Sequence, residues 1–217
     1  MAQLARLAIR PLRISFDDIK FAEKYKKAVR TAFKHGVREI SNYILFNCDD
    51  KPEDLYERLR INIELNQELG IQIFSFPMKY SPTNRTDRNF VGENWNIKQL
   101  RAISAILHVT KGVVAAGKDF FYKAFGTTLN DYFELLNMPR EMIMYRYYFE
   151  ETGDAHKWQQ FYRNLEPEHK SIFSELICLT TTELRNIEWP EYLNDILSFY
   201  LLKHPERESK RSDLIDE

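Results

Sequence analysis

The chain has 217 residues, 44% of them hydrophobic and 29% charged, with a formal net charge of −1 at neutral pH. This is an ordinary globular composition, and its charge balance excludes a whole-molecule polycation for nucleic acid, leaving only a local basic patch open to that role. No apolar run approaches the ~20 residues that a membrane helix needs, the N-terminal stretch has no signal-peptide cleavage site, and a cytoplasmic location is expected.

Leu12-Arg13-Ile14-Ser15-Phe16 alternates apolar and polar residues and reads as a strand ended by Asp17-Asp18. Phe21, Tyr25, Ala28, Val29, Ala32 and Phe33 then recur at helical spacing, with Gly36 as the stop. Tyr43-Ile44-Leu45-Phe46 reads as a second strand and halts at the polar turn Asn47-Cys48-Asp49-Asp50. Pro52 suits a first helical turn, Glu53 and Asp54 suit the positive end of the helix dipole, and Leu55, Leu59 and Ile63 form one face. Gly70 is placed to end that helix in a left-handed cap, and an apolar run from Ile71 to Phe76 forms a third strand stopped by Pro77.

Strand starts near 12, 43 and 71 lie roughly thirty residues apart, the length of a βα repeat. The three strands are expected to be parallel with right-handed crossovers. Their carboxyl ends, where ligands gather in such sheets, then bring Asp17, Asn47 and the Met78-Lys79-Tyr80 segment to one rim. The first strand has no earlier unit beside it, so its outer edge is expected to be open to pairing.

Residues 83–94 read as a polar rim loop in which Arg85 and Arg88 either meet an anion or are simply solvated. Helical segments are expected from Trp95 to Thr110, from Gly112 to Phe125, over 129–136, 141–148, 156–165 and 169–179, after the Thr180-Thr181-Thr182 cap cluster, and over 191–202. Residues 203–217 form a charged tail. The implied division is a βα portion over 1–82, the rim loop over 83–94, a helical region over 95–202 and the tail.

Several motifs reduce to structure. Gly112-Val113-Val114-Ala115-Ala116-Gly117-Lys118-Asp119 nearly matches a phosphate-binding loop, but its last position lacks the hydroxyl for magnesium and it follows a helix; a helix–helix joint explains it. Asp49, Asp50, Glu53 and Asp54 are better read as a helix start than as a metal site. The five histidines show no ligand spacing, and Cys48 and Cys178 form neither a metal motif nor an expected disulfide.

With these residues in view, the chain resembles the C-terminal half of radical S-adenosylmethionine (radical SAM) enzymes, which use a partial (βα)6 barrel. Pro11 to Asp17 looks like the fourth strand and its polar end. Tyr43 to Asn47, leading into Asp50-x-Pro52-Glu53-x-Leu55, is similar to the fifth strand and its helix; Phe76-Pro77-Met78-Lys79-Tyr80-Ser81-Pro82 looks like the sixth strand and its exit. The resemblance covers roughly residues 4 to 82 by motif, and the helical region more weakly to about 175.

The resemblance implies an α/β fold: about three parallel strands of a radical-SAM-type barrel followed by helices. It implies S-adenosylmethionine and a four-iron, four-sulfur cluster as the family's cofactors. Asp17 would stand near the ribose, Asn47 near the adenosine, and the Phe76-Pro77-Met78 backbone at the adenine edge. The Cys-x3-Cys-x2-Cys loop and the first three βα units of the family are not in these 217 residues. The chain therefore reads as a fragment or split half, inactive without a cluster-binding polypeptide as partner. The other reading is a non-catalytic interaction module that uses the aromatic-rich helices; nucleic acid is a third, and would need Arg85, Arg88, Lys98 and Arg101 on one basic face.

Overall fold

The computed structural model describes residues 9–84 and 89–205. Arg85 and Arg88, the first eight residues and the tail from 206 onward lie outside the described residues. The chain separates into two compact units. One holds the residues up to Asn96 together with Leu107–Tyr132; the other holds Ile97–Ile106 together with the residues from Phe133 on.

In the first unit the order is β1 (Leu12–Ser15), a 3-10 turn (Ile19–Phe21), α1 (Ala22–Lys34), β2 (Glu39–Phe46), α2 (Pro52–Leu69) and β3 (Gln72–Lys79). Among the described residues the sheet has three strands in the order β1-β2-β3, both pairs parallel. The chain is thus α/β, with the strand–helix–strand repeat that its apolar spacing predicts.

Leu12 lies beside Ile40, and Ile40 beside Ile73, so these residues share one face of the sheet. Both helices cover that face: Tyr25 and Val29 of α1 and Ile61 and Leu65 of α2 pack into one core with Phe16, Ile40 and Ile73. Phe16 stacks on Tyr25 with ring centroids 4.3 Å apart. The alternate residues of the strands point the other way. That second face carries Tyr43, Leu45, Phe74, Phe76 and Met78, and it stays partly open: Tyr43 is 36% and Met78 51% exposed.

β2 begins at Glu39, four residues before the apolar run that signals it. Asn42, just before that apolar run, lies fully buried inside the strand, where its amide donates to Ile14 O at 3.2 Å and accepts from Asn62 Nδ2 at 2.9 Å. β3 runs through Pro77 to Lys79 instead of stopping at the proline. Gln72 N donates to Arg38 O and Tyr80 N to Phe46 O, so alternate residues from Gln72 face β2 and those between face outward. Pro77 is one of the outward set, and its missing N–H costs no ladder bond. The rest of that edge is closed by Asn66 Oδ1, which accepts Ile73 N at 2.7 Å, and by Val114, which exchanges two backbone bonds with Ser75.

α2 starts at Pro52, with Lys51 N donating to Asp54 Oδ2 at 2.9 Å. It ends at Gly70, whose φ of 62° is the left-handed cap expected there. α3 (Ile97–Val109) ends before Lys111 and Gly112, both at positive φ. The helix expected from Gly112 accordingly begins only at Lys118, as α4 (Lys118–Phe125), because Val114 is held extended against β3. Phe121 and Phe125 of α4, with Tyr132, form an aromatic cluster on Tyr56 of α2. Leu107–Tyr132 therefore belongs with the strands and not with the helical region.

The second unit is helical. After α5 (Leu129–Asn137), of which it holds the part from Phe133 on, come α6 (Arg140–Met144), α7 (Arg146–Glu151), α8 (Asp154–Arg163), α9 (Pro167–Leu176), α10 (Thr181–Arg185) and α11 (Asn194–Ser198). The helix expected over 141–148 divides at Tyr145, which leaves helical geometry and stacks on His204 with centroids 4.1 Å apart. The one expected over 191–202 is a short α-helix between two 3-10 turns. Thr180 is the cap of α10: its Oγ1 accepts from Glu183 N at 3.2 Å while Glu183 Oε2 accepts from Thr180 N at 2.7 Å. Trp158 is fully buried and stacks on Tyr162, which meets Phe173.

Candidate functional site

The parallel register brings the carboxyl ends of the three strands to one edge. Asp17 Oδ1 accepts from Leu45 N at 2.8 Å, so its carboxylate continues the β1–β2 ladder past the last strand residue. Asp17 is exposed, and its second oxygen takes no hydrogen bond among the described residues. Phe76 and Met78 lie inside β3 on the open face, and Phe76 stacks on Tyr43 with centroids 5.4 Å apart. Pro77 is buried on the helix side.

Asn47 is fully buried, with φ at 69°. Its amide is spent on the rim loop: Nδ2 donates to Tyr80 O at 3.1 Å and to Phe90 O at 3.2 Å, and Oδ1 accepts from Gly92 N at 2.8 Å. Gly92 comes so close that a Cβ there would sit 2.8 Å from Cys48 O and 2.9 Å from Asn47 O. Two more bonds pin the same loop, Asn94 Nδ2 to Asp49 O at 3.0 Å and Trp95 Nε1 to Asp50 O at 2.9 Å. Asn47 thus holds the loop over the strand ends and presents no free amide to a ligand.

Beneath the rim lies a residue that the sequence reading passed over. Arg58, on α2, is fully buried. Its Nη1 donates to Phe16 O, Asp17 O and Leu45 O at 3.2, 2.8 and 2.8 Å, its Nε to Asp54 O at 3.1 Å, and its Nη2 to Asp50 Oδ2 at 2.5 Å. Burial pushes the Asp50 carboxyl up and the Arg58 guanidinium down, and their mutual attraction offsets part of both shifts. Of the four clustered acids, Asp50 and Asp54 are thereby committed to an ion pair and a helix start.

No family model, curated protein or solved structure matches the chain.

Arg58 heads a buried polar line, with Asn62 and Asn66 following at i+4 and i+8. Asn62 Nδ2 donates to Asn42 Oδ1 and Ser75 Oγ at 2.9 and 2.8 Å, and its Oδ1 accepts from Tyr25 Oη at 2.8 Å. Asn66 closes the β3 edge and also donates to Ala116 O at 3.2 Å. The signal was present: three polar residues four apart lie alongside the apolar positions of one helix, and buried polar groups must be paired. Cys48 is half-buried beside the rim, and burial raises its thiol pKa, with Asp49 adding to the rise. Among the described residues no group of three or more His, Cys, Asp or Glu side chains is placed to hold a metal.

Proposed function

We propose that the chain is the carboxyl-terminal portion of a radical-SAM-type βα barrel. In this reading β1–β3 supply the adenosine side of an S-adenosylmethionine site, and a cluster-bearing polypeptide completes it. The observation that carries the reading is the one-sided sheet. Parallel sheets are normally covered on both faces, whereas α1 and α2 share one face and the aromatic face of Tyr43 and Phe76 remains partly open. In a closed barrel that face would be the interior. The outer edge of β1 supports the same reading: Phe16 N donates inward to Tyr43 O, so Arg13 and Ser15 direct their backbone groups outward, where a further parallel strand would pair.

The chain has two cysteines, Cys48 and Cys178, and an iron–sulfur cluster with an open iron needs three thiolates, so no cluster chemistry is assigned to this chain. The adenosine side fits better. The free oxygen of Asp17 is an acceptor for a ribose hydroxyl, and Phe76 and Met78 give an apolar wall. Asn47 keeps the loop in place above the strand ends.

S-adenosylhomocysteine tests this without a cluster. Titrated into isotope-labelled chain, it is expected to shift the amides of Asp17, Leu45, Phe76 and Met78 saturably, with millimolar affinity because the site is partial. Asp17→Ala should abolish the shifts. Saturable shifts elsewhere, or none in this group, would overturn the reading.

A further inference from the structure

The second unit contains a cavity of about 660 Å³ that neither the strands nor the rim contributes to. Its volume falls within the range of small-molecule sites. Ile177, Leu179, Leu184, Phe199 and Leu202 make an apolar wall. The lining charges are unequal: Lys98, Arg101, Arg140 and Lys203 against Glu141.

Two of the cations are fixed in place. Lys98 is 4% exposed, and its Nζ donates to Leu136 O at 2.9 Å and Met138 O at 2.6 Å, the carbonyls that end α5. An ammonium has three donors, and the third has no acceptor among the described residues. Arg101 Nη1 donates to Cys178 O at 2.8 Å and Leu179 O at 3.1 Å, which leaves its other nitrogens without an acceptor there. The nearby acids are already engaged. Glu183 spends its hydrogen bonds on the α10 cap and reaches Arg101 only through space, and Glu141 Oε2 accepts from His204 N at 3.3 Å. Burial, with a contribution from Arg101, holds the Lys98 ammonium down at about 7. Lys98, buried with no carboxylate hydrogen-bonded to it, destabilises the empty site when charged, and an anion of suitable shape removes that cost.

We propose that this cavity binds a small amphiphilic monocarboxylate, its head on Lys98 and Arg101 and its hydrocarbon body along Leu184 and Phe199. The planar fork of Arg101 matches a carboxylate. A single negative charge suits a cavity that already holds Glu141.

Octanoate, octan-1-ol and octylammonium separate the contributions when titrated into the full chain by NMR and calorimetry. Octanoate should bind saturably and shift amides confined to 98–102, 177–184 and 199–203, at least tenfold more tightly than the other two. Its heat at pH 8 should depend on the buffer, because Lys98 takes up a proton as the anion enters. Arg101→Gln should weaken octanoate about tenfold. Leu202 is 37% exposed on the cavity wall, so Leu202→Glu should weaken octanoate by a larger factor than it weakens octanol. Equal binding of octanol or octylammonium, shifts outside these segments, or no saturable binding of octanoate would overturn the proposal.

Discussion

Asp50 Oδ2 sits 2.5 Å from Arg58 Nη2, and this buried pair underlies the edge where the three strands end. Arg58 gathers carbonyls from Phe16, Asp17 and Leu45, so one guanidinium ties the tips of β1 and β2 to α2. Arg58→Met should therefore cost about 3–5 kcal/mol, since it strands a buried carboxylate and three carbonyls. Asp50→Asn keeps an acceptor and should cost less. Urea denaturation of both single variants and the double variant checks this; a double variant no worse than Arg58→Met shows that the two act as one unit.

Asn62 predicts a second large effect away from the rim. It pairs with Asn42, Ser75 and Tyr25 at once, so Asn62→Leu leaves three buried groups short of a partner. At about 1–3 kcal/mol for each buried group left unsatisfied, the loss should exceed that of Asn66→Ala, which frees the Ile73 and Ala116 groups at the sheet edge. Thermal melts of the two variants rank them.

These polar contacts mark the limit of what the sequence made legible. Apolar period revealed β1, α1, α2 and β3, because Leu55-Leu59-Ile63 and Ile71-Ile73 repeat at the spacing of the element that buries them. The parallel order followed from strand–helix–strand spacing, and with it the common rim. The start of β2 was hidden because Ser41 and Asn42 are polar and lie outside the apolar run, and Asn42 Oδ1 finds its partner only in Asn62 of α2. The division between units was hidden too: nothing local to Val114 or Phe121 says that one will join the edge of β3 and the other will pack on Tyr56. At the site, Asp17 and Asn47 stand out as polar strand ends, but period alone does not show that Asn47 turns inward to hold a loop while Asp17 stays exposed.

The Asn47 arrangement separates backbone from side-chain effects. Asn47→Gly accepts the positive φ and loses only the three amide bonds; Asn47→Ala loses the bonds and is strained as well. Alanine should be worse than glycine by about 1 kcal/mol. Gly92→Ala, whose new methyl meets two carbonyl oxygens, should cost about 1–3 kcal/mol and raise hydrogen exchange at Gly92 and Trp95. Exchange rates unchanged from wild type would mean that the loop is held elsewhere.

Met78 tests whether the open sheet face is structural or awaits a ligand. It is 51% exposed, so Met78→Glu should leave stability within about 0.5 kcal/mol. The same change places a carboxylate on the wall assigned to adenosine and should eliminate the response to S-adenosylhomocysteine. A large loss of stability would show that the face already serves the core.

Lys98 gives the clearest pH signature. Its ordinary value near 10.5 is depressed to about 7 in the folded chain, so between these limits the unfolded chain holds a proton that the folded one has released. Stability linked to Lys98 is therefore fully present above the unfolded value, and is lost as pH falls through the folded one. Wild type should gain up to about 1.4 kcal/mol per pH unit from this group between pH 7.5 and 10, relative to Lys98→Met. Lys98→Met gives up the bonds to Leu136 and Met138 at every pH, so its deficit should be smallest near neutrality and widen on the alkaline side. Paired urea titrations at pH 7, 8 and 9 read that widening directly; a constant deficit across the series would mean that Lys98 stays protonated in the fold.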